Sequence, residues 1–127
     1  MERFLWICLG GALGTGARYL VSGWVLAALG PAFPYGTLAV NVLGSFALGG
    51  VMHVGLATEW ISPTLRLALS VGLTGGFTTF SAFSYETTHL LQEGAWGVAL
   101  LNAGVSVVAC VAATFLGLVV ARWAVGA

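Results

Sequence analysis

Residues 72–86 read GLTGGFTTFSAFSYE and lie inside a long apolar segment. Adjacent glycines followed by two threonines propagate a helix poorly. A helix that opens at membrane depth exposes carbonyl oxygens, which persist there only when they face protein, an ion or water. The stretch therefore predicts one of two structures. The first is an opened helix whose carbonyls suit a hard cation such as Na⁺, and the second is a continuous helix with a glycine packing face.

The rest of the chain has the composition of an integral membrane protein. Of its 127 residues, 59% are hydrophobic and 6% are charged, whereas soluble domains carry about 25% charged residues. Four arginines balance four glutamates and there is no lysine, so no basic surface is available to neutralise a nucleic-acid backbone. The composition excludes nucleic-acid binding. It also leaves no room for a soluble catalytic domain, and we predict that the protein is not an enzyme.

Four apolar segments are each long enough to cross a hydrocarbon layer of about 30 Å. They cover residues 4–29, 36–56, 63–91 and 95–123. Turn-forming residues such as Gly30-Pro31 and Glu93-Gly94 separate them. The first apolar run resumes past Arg18, which favours a retained helix over a cleaved signal. The sequence predicts one all-α domain over residues 1–127, with four transmembrane helices joined by tight loops.

Small residues recur four positions apart, which predicts close helix crossings because association in lipid depends on packing. The pairs are Gly10 and Gly14, Gly72 and Gly76, and Ser45 and Gly49. Cys8 and Cys110 lie in apolar runs without the spacing of a metal site or a redox motif. We interpret both cysteines as small packing residues.

Ionisable and amide side chains lie within the predicted spans, where a charge costs about 3 kcal/mol. They are Arg18, Asn41, His53, Glu86 and Asn102. Arg18 and Glu86 either stand beside a transport route, or they have structural partners or anchor at the interface. His53 falls near the end of its span and is predicted to be interfacial.

Two rows of side chains follow the glycines of the opening stretch. Phe80 and Phe83 are three residues apart and share a helix face, and Ser81 and Ser84 form a second row. The edges of phenylalanine rings are positive, and hydroxyl hydrogens are donors. The two rows are compatible with a narrow route for a small anion, although aromatic residues at this spacing also occur in packed cores.

A weakly polar stripe runs along the fourth span. Asn102, Ser106 and Cys110 recur every four residues there. Together with Asn41 in the second span, these groups supply donors, and few carboxylates are present to repel an anion. The residues by themselves therefore favour a small anion over a cation.

Three motifs in the first three spans closely resemble those of the Fluc (CrcB) fluoride channels. They are Gly11-x-x-Gly14-x-x-x-Arg18-Tyr19, Gly36-Thr37-Leu38-x-x-Asn41-x-x-Gly44-Ser45-Phe46 and Gly75-Gly76-Phe77-Thr78-Thr79-Phe80-Ser81-x-Phe83-Ser84-x-Glu86. Their order, the chain length and the number of spans also agree. The resemblance implies an antiparallel, dual-topology homodimer in the cell inner membrane, with a broken third helix in each subunit. It also implies two fluoride pores and one structural Na⁺ at the dimer centre.

The same resemblance implies roles for individual residues. Asn41 would be the pore donor of the second helix, and Phe80 and Phe83 would present ring edges to fluoride. Backbone carbonyls of Gly75 and Thr78 would hold Na⁺. Further pore residues would be Thr79, Ser81, Ser84, Asn102 and Ser106, and the vestibule residues would be Arg18 and Glu86.

Such a protein would conduct fluoride passively and protect the cell from fluoride toxicity. The inside-negative potential, worth about 2.3 kcal/mol per charge per 100 mV, would expel the anion without ATP or proton coupling. The alternatives are a small multidrug-resistance-like proton-coupled antiporter and a helical scaffold with no transport route. Antiporters of that class carry a carboxylate in the first span, where this chain has Arg18.

The positive charges outside the membrane are distributed unevenly. Four spans place Arg3, Arg66 and Arg122 on one side and no lysine or arginine in the opposite loops. The positive-inside rule predicts that this side is cytoplasmic. Insertion in both orientations therefore requires either that the bias is too weak to fix topology or that partners in the membrane override it.

Overall fold

The computed structural model describes residues 1–126, which form five helices. Helix α1 is Glu2–Leu29 and helix α2 is Tyr35–Ala57. Helix α3 covers residues 63–77 and combines an α-helical turn, Pro63–Leu67, a π-helical stretch, Ala68–Thr74, and a last turn, Gly75–Phe77. Helix α4 is Phe80–Gln92 and helix α5 is Trp96–Val125.

Within residues 1–126, four segments are long and apolar enough to cross a membrane, as predicted. They are Glu2–Leu29, Tyr35–Ala57, Pro63–Gln92 and Trp96–Val125. Helices α3 and α4 together make the third of these spans. The predicted limits differ from the observed ends by two residues or fewer. The chain is therefore an all-α, multi-pass membrane protein.

The ends of α1, α2 and α3 meet on one side of the bundle. Arg3 Nε lies 3.4 Å from the Thr64 hydroxyl, and Arg66 donates to the carbonyl of Gly55 at 3.0 Å. Ser62 caps α3 by accepting from the Leu65 N–H at 3.1 Å. Arg3 and Arg66 thus lie at the same end of the bundle, as the count of four spans requires.

Glycine backbones allow close crossings between helices. A Cβ on Gly10 would lie 2.5 Å from the Ala68 carbonyl oxygen, and one on Gly76 would lie 2.5 Å from the Gly11 carbonyl oxygen. A Cβ on Gly14 would collide with the Leu73 carbonyl oxygen. These contacts confirm that the glycine pairs of α1 and α3 pack against each other.

A second glycine crossing joins α2 to α5. A Cβ on Gly49 would collide with the Thr114 carbonyl oxygen, and one on Gly117 with the Phe46 carbonyl oxygen. Cys110 is half-buried, but Cys8 is exposed on α1. The packing role predicted for Cys8 is therefore wrong within the subunit, because α1 turns that face away from the other helices.

The third span is interrupted, but not at its glycines. Thr78 and Thr79 are extended, with ψ of 158° and 110°, whereas Gly75 is helical, with φ of −62° and ψ of −38°. The prediction of an opened helix is confirmed, and within the predicted stretch the break falls on the two threonines while the adjacent glycines stay helical. Glycine lets α3 approach α1, and the break falls one turn later, where side chains replace the helical hydrogen bonds.

Candidate functional site

The side-chain amide of Asn41 holds the break in the third span. Its Nδ2 donates to the Thr79 carbonyl oxygen at 3.1 Å, and its Oδ1 accepts from the Thr79 N–H at 2.7 Å. Both main-chain groups of Thr79 are thereby paired at membrane depth, where unpaired groups are costly. The second hydrogen of Nδ2 remains available to another acceptor.

Thr79 also begins helix α4. Its hydroxyl oxygen accepts from the Ala82 N–H at 3.1 Å and lies 3.3 Å from the Ser81 hydroxyl. This is the side-chain cap typical of a helix N-terminus. The predicted pore hydroxyl of Thr79 is thus partly committed to the helix cap.

The predicted aromatic pair stands on the first turn of α4. The ring centroids of Phe80 and Phe83 are 5.4 Å apart and the rings are inclined by 42°. Phe80 is 78% exposed, and Ser81 and Ser84 are also exposed on this helix. The structure therefore brings Asn41, the two rings and the two serines to one region around the break.

Two residues of the predicted polar stripe of α5 are buried where α5 packs against α4. Asn102 is 2% exposed and Ser106 is 8% exposed. Asn102 Nδ2 donates to the Thr87 hydroxyl at 2.9 Å, and the Ser106 hydroxyl donates to Asn102 Oδ1 at 3.3 Å. Sequence reasoning did not assign Thr87 to the site, although it lies four residues after Phe83 and shares its helix face.

An open cavity of about 940 Å³ leads to the break. Arg18 and Glu86 both line it, as does Thr79. Glu86 Oε1 accepts from the Thr37 hydroxyl at 2.6 Å, while Glu86 Oε2 is buried without a hydrogen-bond partner in residues 1–126. Arg18 Nε donates to the Gly76 carbonyl oxygen at 3.0 Å. The structure thus places both predicted vestibule residues at one cavity, each with its own partner.

Carbonyl oxygens around the break fall into two groups. The Thr74 oxygen accepts from both the N–H and the hydroxyl of Thr78, each at 3.0 Å, and the Gly76 oxygen accepts from Arg18. The N–H groups that a continuous helix would direct at the oxygens of Gly75 and Thr78 belong to Thr79 and Ala82, and they donate instead to the side chains of Asn41 and Thr79. Main-chain oxygens suit a hard cation, so these two carbonyls fit the Na⁺ ligands that the sequence resemblance implies.

His53 lies outside this region. Its Nε2 is buried and has no hydrogen-bond partner among the described residues. The residue is half-buried and lies four positions before the end of α2, and its predicted interfacial position stays a prediction.

Comparison of the sequence with known proteins identifies a family to which it is similar. Residues 5–118 match the family model of CrcB-like protein, Camphor Resistance (CrcB). A protein named fluoride-specific ion channel FluC from Sorangium cellulosum (strain So ce56) is 53% identical over 122 residues, which cover 96% of each chain. A protein of the same name from Anaeromyxobacter dehalogenans (strain 2CP-1 / ATCC BAA-258) is 51% identical over 126 residues, which cover 99% of this chain and 100% of the relative.

Proposed function

Because the chain belongs to the CrcB-like family and its relatives are named fluoride-specific ion channels, we propose that it is a passive fluoride channel of the cell inner membrane. It exports cytoplasmic fluoride and so protects the cell from fluoride toxicity. The antiporter alternative finds no support among these relatives. The observation that carries the proposal is the break at Thr78 and Thr79, which Asn41 clamps beside Phe80 and Phe83.

The groups around the break suit a small, strongly hydrated anion. Such an ion gives up its water only when close donors replace it, and amide hydrogens, hydroxyls and ring edges supply them without a fixed charge. A passage lined closely enough for these donors to replace the water of fluoride would be too narrow for the larger chloride. Arg18 at the cavity adds positive potential on the way in.

A homodimer is the assembly that the exposed groups favour. Gly75, Phe80, Ser81 and Ser84 are exposed although they lie in the middle of a membrane span. Lipid cannot satisfy hydroxyls or unpaired carbonyls, whereas an antiparallel second copy supplies partners and encloses the rings. Two-fold symmetry then produces two pores per dimer.

A structural Na⁺ completes the proposal. The carbonyls of Gly75 and Thr78 from each subunit would hold the ion, which supplies positive charge among oxygens that otherwise lack hydrogen bonds. Exchange of Na⁺ for a large organic cation is expected to lower both the fluoride flux and the fraction of dimer. Unchanged flux and dimer after exhaustive exchange would contradict the Na⁺ site.

Fluoride efflux from proteoliposomes tests the proposed function. Vesicles loaded with KF and containing the purified protein receive a potassium ionophore, and an electrode follows external fluoride. We expect fluoride release without a pH gradient. From vesicles loaded with KCl we expect little chloride release, followed with a chloride electrode. Release that requires a pH gradient, or equal passage of chloride, would contradict a passive fluoride channel.

A further inference from the structure

Helix α4 carries the aromatic pair but is held by few contacts. It packs on α5 and touches α2, and it makes no contact with α1 in the described residues. Polar side chains mark its attachments, with Asn41 bonded to the residue before its first turn, Thr37 bonded to Glu86, and Asn102 bonded to Thr87. The bond from Asn102 joins α4 to α5, its main packing partner.

Thr87 is placed to control the direction of both rings. Phe80, Phe83 and Thr87 follow the spacing i, i+3, i+7 and therefore share one stripe of α4. A slip of one residue along a helix turns that stripe by about 100° and moves it by about 1.5 Å. The bond between Asn102 and Thr87 opposes such a slip one turn beyond Phe83.

Asn102 is poorly placed to meet the ion itself. Unlike the half-buried Asn41, it is only 2% exposed, and its amide bonds to Thr87 and to Ser106 inside the subunit. Because α4 and α5 are joined by a short turn, they run antiparallel, so Ser106 lies at the level of Phe83. The three hydrogen-bonded residues therefore form a largely buried bridge between α4 and α5, on the same face of α4 as the rings.

We infer that Asn102 is a positioning residue, which acts through Thr87 to fix the rotation of α4 and thus the placement of Phe80 and Phe83. Its effect on transport rests on the proposed channel function. Its effect on α4 does not, because the buried bridge joins two helices of the same chain.

Hydrogen exchange of α4 tests the bridge without any transport measurement. Thr87→Val removes the hydroxyl at nearly constant volume, and Thr88→Val is the matched control because Thr88 is exposed and makes no hydrogen bond among the described residues. Hydrogen bonds between membrane helices contribute about 0.6–1.7 kcal/mol, so Thr87→Val should speed exchange of residues 80–92 about three- to twentyfold. Thr87→Ser should restore slow exchange. Equal exchange in Thr87→Val and wild type, or equal acceleration by Thr88→Val, would overturn the inference.

Fluoride flux tests whether Asn102 acts through Thr87. Asn102→Leu and Thr87→Val should each lower the flux, and the double variant should be no slower than Asn102→Leu alone. In the Thr87→Val background, Phe83→Ile should cost less flux than it does in wild type, because the ring is already misplaced. Additive losses would show that Asn102 meets fluoride independently and would overturn the inference. A wild-type protein that conducts no fluoride would instead refute the proposed function and leave the exchange result to decide the bridge.

Discussion

Helix α3 meets α1 through glycine backbones, whereas α4 meets α2 and α5 through side-chain hydrogen bonds. On α3, Gly72 and Gly76 lie against α1 so closely that a Cβ at either position would collide with main-chain atoms. On α4, Thr79, Glu86 and Thr87 are each held by a polar side chain of a neighbouring helix. The two halves of one membrane span are therefore attached by different physical means.

The two kinds of attachment correspond to two roles, because α3 belongs to the packed scaffold and α4 carries the candidate site. Packing of small residues depends on contact along a whole face, so α1 and α3 form a close-packed base. Hydrogen bonds are directional and few, so they can orient α4 while leaving its rings and hydroxyls exposed. The polar half thus carries the groups proposed to meet fluoride, and the glycine half supports it.

The largest expected effect comes from breaking the clamp on α4. Asn41→Asp replaces the donor facing the Thr79 carbonyl with a carboxylate and places a charge at membrane depth, at a cost of about 3 kcal/mol. We expect fluoride flux to fall about a hundredfold. Gln92→Glu makes the same chemical change at the exposed end of α4 and should conduct normally. Near-normal flux in Asn41→Asp, with an intact dimer by size-exclusion chromatography, would place the pore elsewhere.

A smaller effect is expected from breaking the glycine contact of α3. Gly14→Ala forces a methyl group into the Leu73 carbonyl, and overpacking of this kind costs about 1–3 kcal/mol. Gly16→Ala, two residues away with nothing within 4 Å, should change stability by less than about 0.5 kcal/mol. Thermal unfolding followed by circular dichroism measures both. Equal midpoints of thermal unfolding for the two variants would show that α1 and α3 can move apart at this crossing without loss of stability.

The aromatic pair should respond more weakly than the clamp. Phe80→Ile and Phe83→Ile remove positive ring edges at similar bulk, and aromatic geometry is worth about 0.5–1.5 kcal/mol, so flux should fall about two- to tenfold in each. Phe4→Ile, at an exposed position near the start of α1, is the matched control. Efflux from proteoliposomes measures all three. A ring variant as fast as the Phe4 control would remove that ring from the route.

The smallest effect is expected from Thr78→Ser. Serine keeps the main-chain carbonyl and the hydroxyl that donates to Thr74, and it loses only the methyl that packs over Gly44. Stability should fall by less than about 0.8 kcal/mol, because only one half-buried methyl is lost, and the dependence of the dimer on Na⁺ should not change. Loss of Na⁺ dependence in this variant would show that the side chain, rather than the carbonyl, holds the ion.

Much of the site was predictable because its chemistry is local in the sequence. The three-residue spacing of Phe80 and Phe83 indicates that both rings lie on one helix face. The motifs shared with the fluoride channels contain Asn41, Arg18 and Glu86. The structure brings Asn41 to the break and places Arg18 and Glu86 at one cavity. Their roles in fluoride transport stay predictions.

Partners from distant segments were not predictable. Thr87 and Asn102 are 15 residues apart, and Asn41 and Thr79 are 38 apart. A hydrogen bond between such residues depends on how two helices cross and in what register, which one sequence does not encode as a pattern. The same reason explains why Asn102 and Ser106, predicted as pore residues, lie buried between α4 and α5.

Hydropathy and turn chemistry alone determined that the chain is an all-α protein with four membrane spans, because span length and apolar content are properties of single segments. Tertiary structure alone decided where the third span opens. Gly72 and Gly76 stay helical where α1 packs against them, and Thr79 is extended because Asn41, on another helix, pairs with its N–H and its carbonyl. A helix breaks where an outside partner replaces its own hydrogen bonds, and that partner is set by helix packing.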